Sequence, residues 1–177
     1  TFNWSTWEDE MNDEPTESNR VAVEKFYQFI NGDDFTKDTA PKHMNINDWI
    51  DYYIFIQFFR MRDNDIHNLI LYSGKDKTVF SPFIYDLDLS FNVYKYNLEV
   101  NKKNTVWIKL ASTYWNEICE RYWELRKTVF TIGNFSMLVN ELQSSIDYGD
   151  FENGVSKWGV RNKDLTIGKL SSIFSEL

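Results

Sequence analysis

Cysteine, proline and glycine are all scarce in this chain. Its 177 residues include one Cys, three Pro, seven Gly and two His. A single thiol cannot build an intramolecular disulfide framework, and Cys119, His43 and His67 are too far apart in the sequence for a zinc site. So few Pro and Gly leave little room for linkers, so we expect a single domain over residues 1–177.

Positive charge and long apolar runs are also lacking. The formal net charge is −8, from 19 Lys and Arg against 27 Asp and Glu. Nucleic-acid backbones attract concentrated positive charge, so this balance argues against a nucleic-acid partner and favours a basic protein substrate. A membrane-spanning helix needs about 20 apolar residues. The best candidate, Asp48 to Arg60, is shorter and carries charges, so we predict no membrane span.

Large aromatic side chains are abundant. Aromatic residues make up 18% of the chain and hydrophobic residues 42%, which is enough for one well-formed core. Six of the aromatic residues recur at helical spacing, which favours core packing over the alternative of a sugar-binding platform. These six are Trp107, Tyr114, Trp115, Tyr122, Trp123 and Trp158.

Helical periodicity dominates most of the sequence after an irregular acidic arm over residues 1–18. Asn31-Gly32 is a stop signal for the first helix, Asn45 or Asn47 caps the second, and Ile132-Gly133 is expected to interrupt the helical pattern. The second helix is apolar around nearly its whole circumference, so we expect it to be central. The predicted helices cover Asn19 to Ile30, about Asp48 to Met61, Trp107 to Val129, Asn134 or Ser136 to Ile146, and Leu165 onward.

One stretch between the helices has the pattern of a β-hairpin. Leu69 to Tyr72 and Val79 to Tyr85 are apolar runs joined by a turn in which Gly74 permits a positive φ angle. The predicted fold is therefore mainly α with one β-hairpin, an α+β class.

Acidic and amide side chains flank the hairpin at one end. Asp63 and Asn68 form a D-x-x-x-x-N motif before the first strand, and Asp86 and Asp88 form a D-x-D motif after the second. A kinase C-lobe has this order of parts. Phosphoryl transfer needs a carboxylate near the attacking hydroxyl and hard oxygen ligands for magnesium. We predict Asp63 as catalytic, Asn68 and Asp86 as ligands of metal and nucleotide, and Asp88 as a further metal ligand.

Simpler structural roles exist for the residues before the hairpin. Asp63 would also suit the end of the second helix or an ion pair with Arg60 or Arg62, and such exposed pairs contribute less than about 1 kcal/mol. Asn68 would equally suit a turn in which its side chain bonds its own backbone. His67 is a candidate phosphate donor, and a histidine bonded to backbone is the alternative.

The two aspartates after the hairpin are harder to explain structurally. On an extended strand, Asp86 and Asp88 share one face because side chains alternate. Two like charges at such a short distance repel one another unless a cation lies between them, which favours a metal or phosphate site.

Three stretches carry a resemblance to a known family. M-N-I-N-D-W-I-D-Y-Y-I-F-I-Q-F-F, D-N-D-I-H-N-L-I-L-Y and F-I-Y-D-L-D-L-S-F resemble the CotH family, the spore coat protein H kinases, and the later E-R-Y-W-E-L-R and W-G-V-R are also similar to it. The resemblance extends from Asp48 to Leu177, and its middle third is the specific part.

The resemblance implies an atypical protein-kinase-like fold, of which this chain covers the C-terminal lobe. It also implies a Ser/Thr protein kinase that uses ATP with Mg²⁺ or Mn²⁺ on a secreted, surface or spore-coat protein. Position by position, Asp63 matches the catalytic aspartate, Asn68 the metal-binding asparagine of the loop, and Asp86 and Asp88 the acids of the D-x-D motif.

The sequence departs from the family pattern at three points. Tyr85 stands where Trp is common, Asn92 replaces a frequent Gly, and the residues before Asp48 contain no Gly-rich strand pair for an N-lobe. We therefore expect a fragment of a longer kinase. The alternative is a non-catalytic surface or spore-coat assembly module without nucleotide binding, and a third reading is a metal-dependent hydrolase built on Asp63, Asp86 and Asp88.

Overall fold

The architecture is mainly helical with one small sheet. The computed structural model describes residues 16–61, 64–65, 68–87 and 105–145, and residues 153 and 157. Strands β1 and β2 form an antiparallel two-stranded sheet, so the predicted α+β class is confirmed. The predicted helix from Leu165 lies outside the described residues. The elements are α1 (Glu17–Asn31), a 3₁₀ turn (Ala40–Lys42), α2 (Ile46–Phe58), β1 (Leu69–Ser73), β2 (Phe80–Ile84), α3 (Thr105–Thr128) and α4 (Ile132–Ser145).

The chain divides into two compact units, Thr1–Arg121 and Tyr122–Leu177. The first unit contains α1, α2 and the hairpin, and the second contains α4. The single-domain organisation stays a prediction. Within the described part of the chain, every helix is too short or too polar to cross a bilayer.

Helix α1 begins earlier than its periodicity predicts. The Thr16 hydroxyl oxygen accepts a hydrogen bond from the Asn19 N–H at 3.3 Å, so Thr16 is the N-cap and Glu17 lies in the helix, not in the acidic arm. The helix ends at Asn31, as predicted. Gly32 follows with an extended backbone at φ −80°, and its N–H donates to the Gln28 carbonyl at 2.8 Å.

Helix α2 is the central helix of the first unit, as predicted. No side chain from Trp49 to Arg60 is fully exposed. Asn45 is the N-cap, although its side-chain amide donates to Asp48 Oδ2 at 2.7 Å and makes no bond to the helix N–H groups. The buried side chains are Trp49, Ile50, Tyr52, Ile54, Ile56 and Phe58.

The C-terminus of α2 is a Schellman motif without glycine. Arg60 has a left-handed backbone at φ 52°. Its N–H donates to the Gln57 carbonyl at 3.2 Å, and the Met61 N–H donates to the Ile56 carbonyl at 2.9 Å. The predicted end at Met61 is therefore wrong by three residues, because α2 stops at Phe58. Arg60 turns the chain away from the helix axis and into the loop before β1.

The hairpin is fixed in register by five pairs, from Leu69 opposite Ile84 to Ser73 opposite Phe80. The left-handed residue of its turn is Lys77, at φ 55°, and Gly74 has no positive φ, so the predicted role of Gly74 is wrong. The Lys77 ammonium donates to Ser18 Oγ and Asn19 Oδ1 of α1 at 2.6 and 2.5 Å. These tertiary bonds stabilise a lysine where local sequence rules favour glycine.

Strand β2 is attached directly to the start of α2. The Phe80 N–H donates to the His43 carbonyl at 2.9 Å, and the Phe80 carbonyl accepts from the Asn45 N–H at 3.1 Å. The Trp49 indole N–H also donates to the Phe80 carbonyl, at 2.9 Å. Backbone and side-chain bonds therefore fix the strand against the buried helix.

Helix α3 is packed on α2 within the first unit. The Arg121 guanidinium makes a two-pronged bond to Asp51, with N···O distances of 2.7 and 3.0 Å. The Trp107 ring stacks on Tyr52, with centroids 5.8 Å apart and planes 5° apart. The helix has non-helical backbone angles at Tyr114.

In the second unit, α4 begins at Ile132 and includes Gly133. The predicted break between the two helices is confirmed, but it lies at 129–131 and not at Ile132-Gly133. Thr131 caps the helix, since its hydroxyl oxygen accepts from the Asn134 N–H at 3.2 Å. A polar cap sets this boundary, and the glycine lies inside the helix.

The six aromatic residues expected in the core do not share one environment. Trp107 and Tyr114 are buried, as predicted. Trp115 and Trp123 are 56% and 58% exposed, so core packing is wrong for these two. Tyr122 is half-buried, and Trp158 lies outside the described residues.

Candidate functional site

The hairpin brings two of the predicted site residues to the same end of the sheet. Asn68 immediately precedes β1 and is half-buried, whereas Asp86 lies two residues beyond β2 and is exposed. Leu69 pairs with Ile84 at the end of the sheet. Asn68 precedes Leu69 and Asp86 follows Ile84 by two residues, so both lie just beyond that end. Asn68 and Asp86 therefore lie at one end of the hairpin. Three further predicted residues lie outside the described part of the chain, namely Asp63, His67 and Asp88.

Asp86 has an unusual backbone conformation. Its φ angle is 47°, in the left-handed region that L-residues avoid because the Cβ atom crowds the backbone. Strand β2 ends at Ile84. The predicted extended strand through Asp86 is therefore wrong, because the alternation of faces does not continue through a left-handed residue. Such strain, typically about 1 to 3 kcal/mol, is concentrated at functional sites in proteins.

The loop between α2 and β1 is tied to its surroundings by hydrogen bonds at 64–65. The Tyr52 hydroxyl of α2 donates to the Asn64 carbonyl at 2.8 Å, and the Trp107 indole of α3 donates to the Asp65 carbonyl at 2.8 Å. The Asn64 side-chain amide donates to the Tyr85 carbonyl at 2.5 Å. Bonds from α2, from α3 and to the residue after β2 therefore hold Asn64 and Asp65.

Asn64 is the most deeply buried polar side chain of the described residues, at 1% exposure. Within the part of the chain that the structure describes, nothing donates to its Oδ1 atom. Burying an amide without all its hydrogen bonds costs about 1 to 3 kcal/mol. Its presence in the core therefore calls for a reason other than apolar packing.

The Tyr52 phenol has a strongly altered acidity. Burial raises the pKa of Tyr52 to about 12, the Asn64 side chain opposes the rise, and the Asp65 carboxylate adds to it. The neutral phenol is therefore the form that donates to the Asn64 carbonyl throughout the physiological range.

We expect this shift to make the fold less stable in strong alkali. An unfolded tyrosine titrates near pH 10, so between pH 10 and 12 the unfolded state binds fewer protons and the free energy of unfolding falls as pH rises. The contribution of Tyr52 is complete below pH 10, and about 2 kcal/mol of it is lost by pH 11.5. Urea unfolding at pH 9 and 11.5 measures the loss. Tyr52→Phe removes the contribution of this phenol to the pH dependence, whereas the contribution of every lysine stays the same. An equal loss of stability between pH 9 and 11.5 in the two proteins would contradict a buried Tyr52 with a raised pKa.

The donor set at the hairpin end suits a hard divalent cation. Asn68 and Asp86 offer amide and carboxylate oxygens, which Mg²⁺ and Mn²⁺ prefer over nitrogen or sulfur. Among the residues described, no three His, Cys, Asp or Glu side chains lie together. The further oxygen ligands expected from the sequence, Asp63 and Asp88, lie outside them. The exposed position of Asp86 fits an ion that also contacts a solvent-exposed nucleotide.

Sequence reasoning missed the residues that organise this site. Asn64 lies between two aspartates in D-N-D, a composition typical of a solvated loop. Trp107 was assigned to the core, which is correct, but its indole N–H was not paired with the loop, and the buried Tyr52 was not singled out. The available signal was chemical, because buried Tyr and Trp need a partner for their O–H and N–H groups. A buried Tyr or Trp whose O–H or N–H has no assigned partner therefore predicts a hydrogen bond from that ring to a nearby polar loop.

Comparison with known proteins identifies one family. A family model described as CotH kinase protein matches residues 3–169 of the chain. No curated protein and no solved structure gives a significant match.

Proposed function

The chain belongs to the CotH kinase family, and we propose that it carries the catalytic loop and metal-binding residues of an ATP-dependent protein Ser/Thr kinase. The arrangement that supports the proposal is the hairpin register, with Leu69 opposite Ile84, which brings Asn68 and Asp86 to one end of the sheet. We also propose that the fold is that of a kinase C-lobe.

Each site residue has a role in this proposal. Asp63 orients the substrate hydroxyl and accepts its proton, as the carboxylate of a kinase catalytic loop does. Asn68 and Asp86, with Asp88, hold Mg²⁺ or Mn²⁺ against the nucleotide phosphates, and His67 donates a hydrogen bond to phosphate. The bound metal supplies positive charge that neutralises the phosphates during transfer.

The left-handed backbone of Asp86 is consistent with a ligand role. A strained residue persists where the surrounding structure over-determines its conformation, and a fixed carboxylate loses little entropy on binding an ion. A half-buried Asn68 beside an exposed Asp86 gives the ion one ligand anchored in the protein and one open to the nucleotide. The net charge of −8 supports a basic protein as the substrate.

We expect Asp86→Asn to weaken binding of ATP with Mn²⁺ by at least about tenfold, because one charged oxygen ligand is lost. Isothermal titration of the chain with ATP in Mg²⁺ or Mn²⁺ measures the affinity. Asp76→Asn is the matched control, because it makes the same charge change in the turn at the opposite end of the same hairpin.

The outcomes separate the proposed kinase from its alternative. Equal affinity in wild type and Asp86→Asn would remove Asp86 from the site. No heat from the wild-type chain at millimolar ATP would contradict nucleotide binding and favour a non-catalytic assembly module. Where binding is present, labelled phosphate from ATP is offered to a serine peptide rich in lysine and to the same peptide with glutamate in place of lysine, which tests the basic-substrate proposal.

A further inference from the structure

Asn64 contacts the backbone next to the candidate metal ligand. Its Nδ2 atom lies 2.5 Å from the Tyr85 carbonyl oxygen. That carbonyl belongs to the peptide group whose nitrogen is the amide nitrogen of Asp86. The φ angle of Asp86 is measured about the bond from that nitrogen to Cα, so any bond that fixes this peptide plane also constrains Asp86.

The other side of Asn64 is anchored to the core. Its carbonyl accepts from the Tyr52 hydroxyl, and the next carbonyl, of Asp65, accepts from the Trp107 indole. The donors lie on α2 and α3, and both rings are buried. The main chain at Asn64 is therefore fixed to the core. The bond from the Asn64 side-chain amide to the Tyr85 carbonyl extends this constraint to the end of β2.

We propose that Asn64 is a positioning residue that holds Asp86 in its left-handed conformation and so fixes its carboxylate relative to Asn68. The positioning role rests on the proposed function. The conformational coupling between Asn64 and Asp86 does not, and it is measurable without nucleotide. Three observations agree on the coupling: a nearly inaccessible amide, its bond to Tyr85 and the strained φ angle that follows.

The test compares Asn64→Leu with Tyr52→Phe. Asn64→Leu keeps the approximate volume and removes the donor to Tyr85. Tyr52→Phe removes a buried hydrogen bond to the same loop and leaves the Asn64 side chain intact. We expect Asn64→Leu to weaken Mn²⁺·ATP binding at least tenfold, at a temperature where circular dichroism shows both variants folded. Because the Trp107 indole still holds the Asp65 carbonyl, we expect Tyr52→Phe to change that affinity less than threefold although its Tm also falls.

A purely structural role for Asn64 predicts a different pattern. Tm would fall in both variants, and the affinity of the folded proteins would stay within threefold of wild type, which would overturn the positioning role. An equal loss of affinity in both variants would also overturn it, because the effect would then belong to the loop as a whole. Asn64→Ser replaces Asn64→Leu if the latter does not fold, since its side chain is too short to reach Tyr85.

A double-mutant cycle tests the coupling without any ligand. We measure Tm for Asn64→Leu, Asp86→Gly and the double variant. If Asn64 holds Asp86 in a strained conformation, the two single shifts fail to add by more than about 3 °C, whereas independent sites add closely. Additive shifts overturn the coupling. A wild-type chain that binds no Mn²⁺·ATP ends the kinase proposal alone, and the cycle still decides whether Asn64 controls Asp86.

Discussion

Trp49→Ala is expected to lower the free energy of unfolding by about 4 to 6 kcal/mol. The side chain has no exposed surface, and its ring lies 5.3 Å from Trp107 and 6.0 Å from Phe26 between centroids. Truncation of a buried tryptophan costs about 3 to 5 kcal/mol, and the lost bond to the Phe80 carbonyl adds about 1 kcal/mol. Typical domains have only about 5 to 15 kcal/mol in total.

The loss of stability in Trp49→Ala is limited because one buried acceptor, the Phe80 carbonyl oxygen, keeps a hydrogen-bond partner. The Phe80 carbonyl keeps its bond from the Asn45 N–H, so Trp49→Ala creates a cavity without creating an unpaired buried acceptor. Urea unfolding followed by circular dichroism measures the change. Trp115→Ala is the control, because that indole is 56% exposed on α3 and its removal should cost less than about 1 kcal/mol. Similar losses in the two variants would contradict a core centred on Trp49.

The central helix and the hairpin could be predicted because their signals are local. The apolar run from Trp49 to Phe59 specifies a buried helix whichever way it is turned, and the L-I-L-Y and V-F-S-P-F-I-Y runs specify two strands. Asn45 marks the start of α2 as a preferred cap residue. These elements follow from periodicity and residue preferences within windows of about ten residues.

The errors fall where a tertiary bond or a helix cap replaces the rule that assigns these positions to glycine. Arg60 and Lys77 adopt left-handed angles that sequence rules assign to glycine. Lys77 is stabilised by its bonds to Ser18 and Asn19, about 60 residues away in sequence, and nothing near Lys77 in the chain announces them. At Thr131, a polar cap starts α4 ahead of Gly133, so the break between the helices lies earlier than Gly133 predicts. Tertiary bonds and caps therefore decide these boundaries.

The candidate site was predictable in its composition but not in its geometry. The D-x-x-x-x-N and D-x-D spacings indicated which residues to consider, and the hairpin register brings Asn68 and Asp86 to one end. The left-handed angle of Asp86 was not predictable, because Y-D-L-D continues the alternation of an extended strand. Asn64 was not predictable either, because its burial depends on Tyr85 and Tyr52, which are distant in the sequence.

Asp86→Gly is expected to abolish metal-dependent nucleotide binding, with a loss of more than about 100-fold, because no side-chain ligand remains at this position. The same change is expected to preserve or raise stability by up to about 1 kcal/mol. Glycine adopts φ 47° without a clash, which removes the strain, although its flexibility in the unfolded chain cancels part of the gain. If glycine is at least as stable as aspartate at position 86, then Asp86 is retained for its function and not for stability.

The comparison with Asp86→Ala isolates the strain. Alanine also lacks the ligand, so both variants should lose Mn²⁺·ATP binding equally. At an ordinary position alanine is more stable than glycine by about 0.4 to 1 kcal/mol, but a left-handed angle reverses the sign. We therefore expect Asp86→Gly to have the higher Tm, and Asp76→Gly to have a lower Tm than Asp76→Ala, since Asp76 has no positive φ angle. The same order at both sites would show that Asp86 is unstrained in solution, and its conformation could not then be a device for holding the metal ligand.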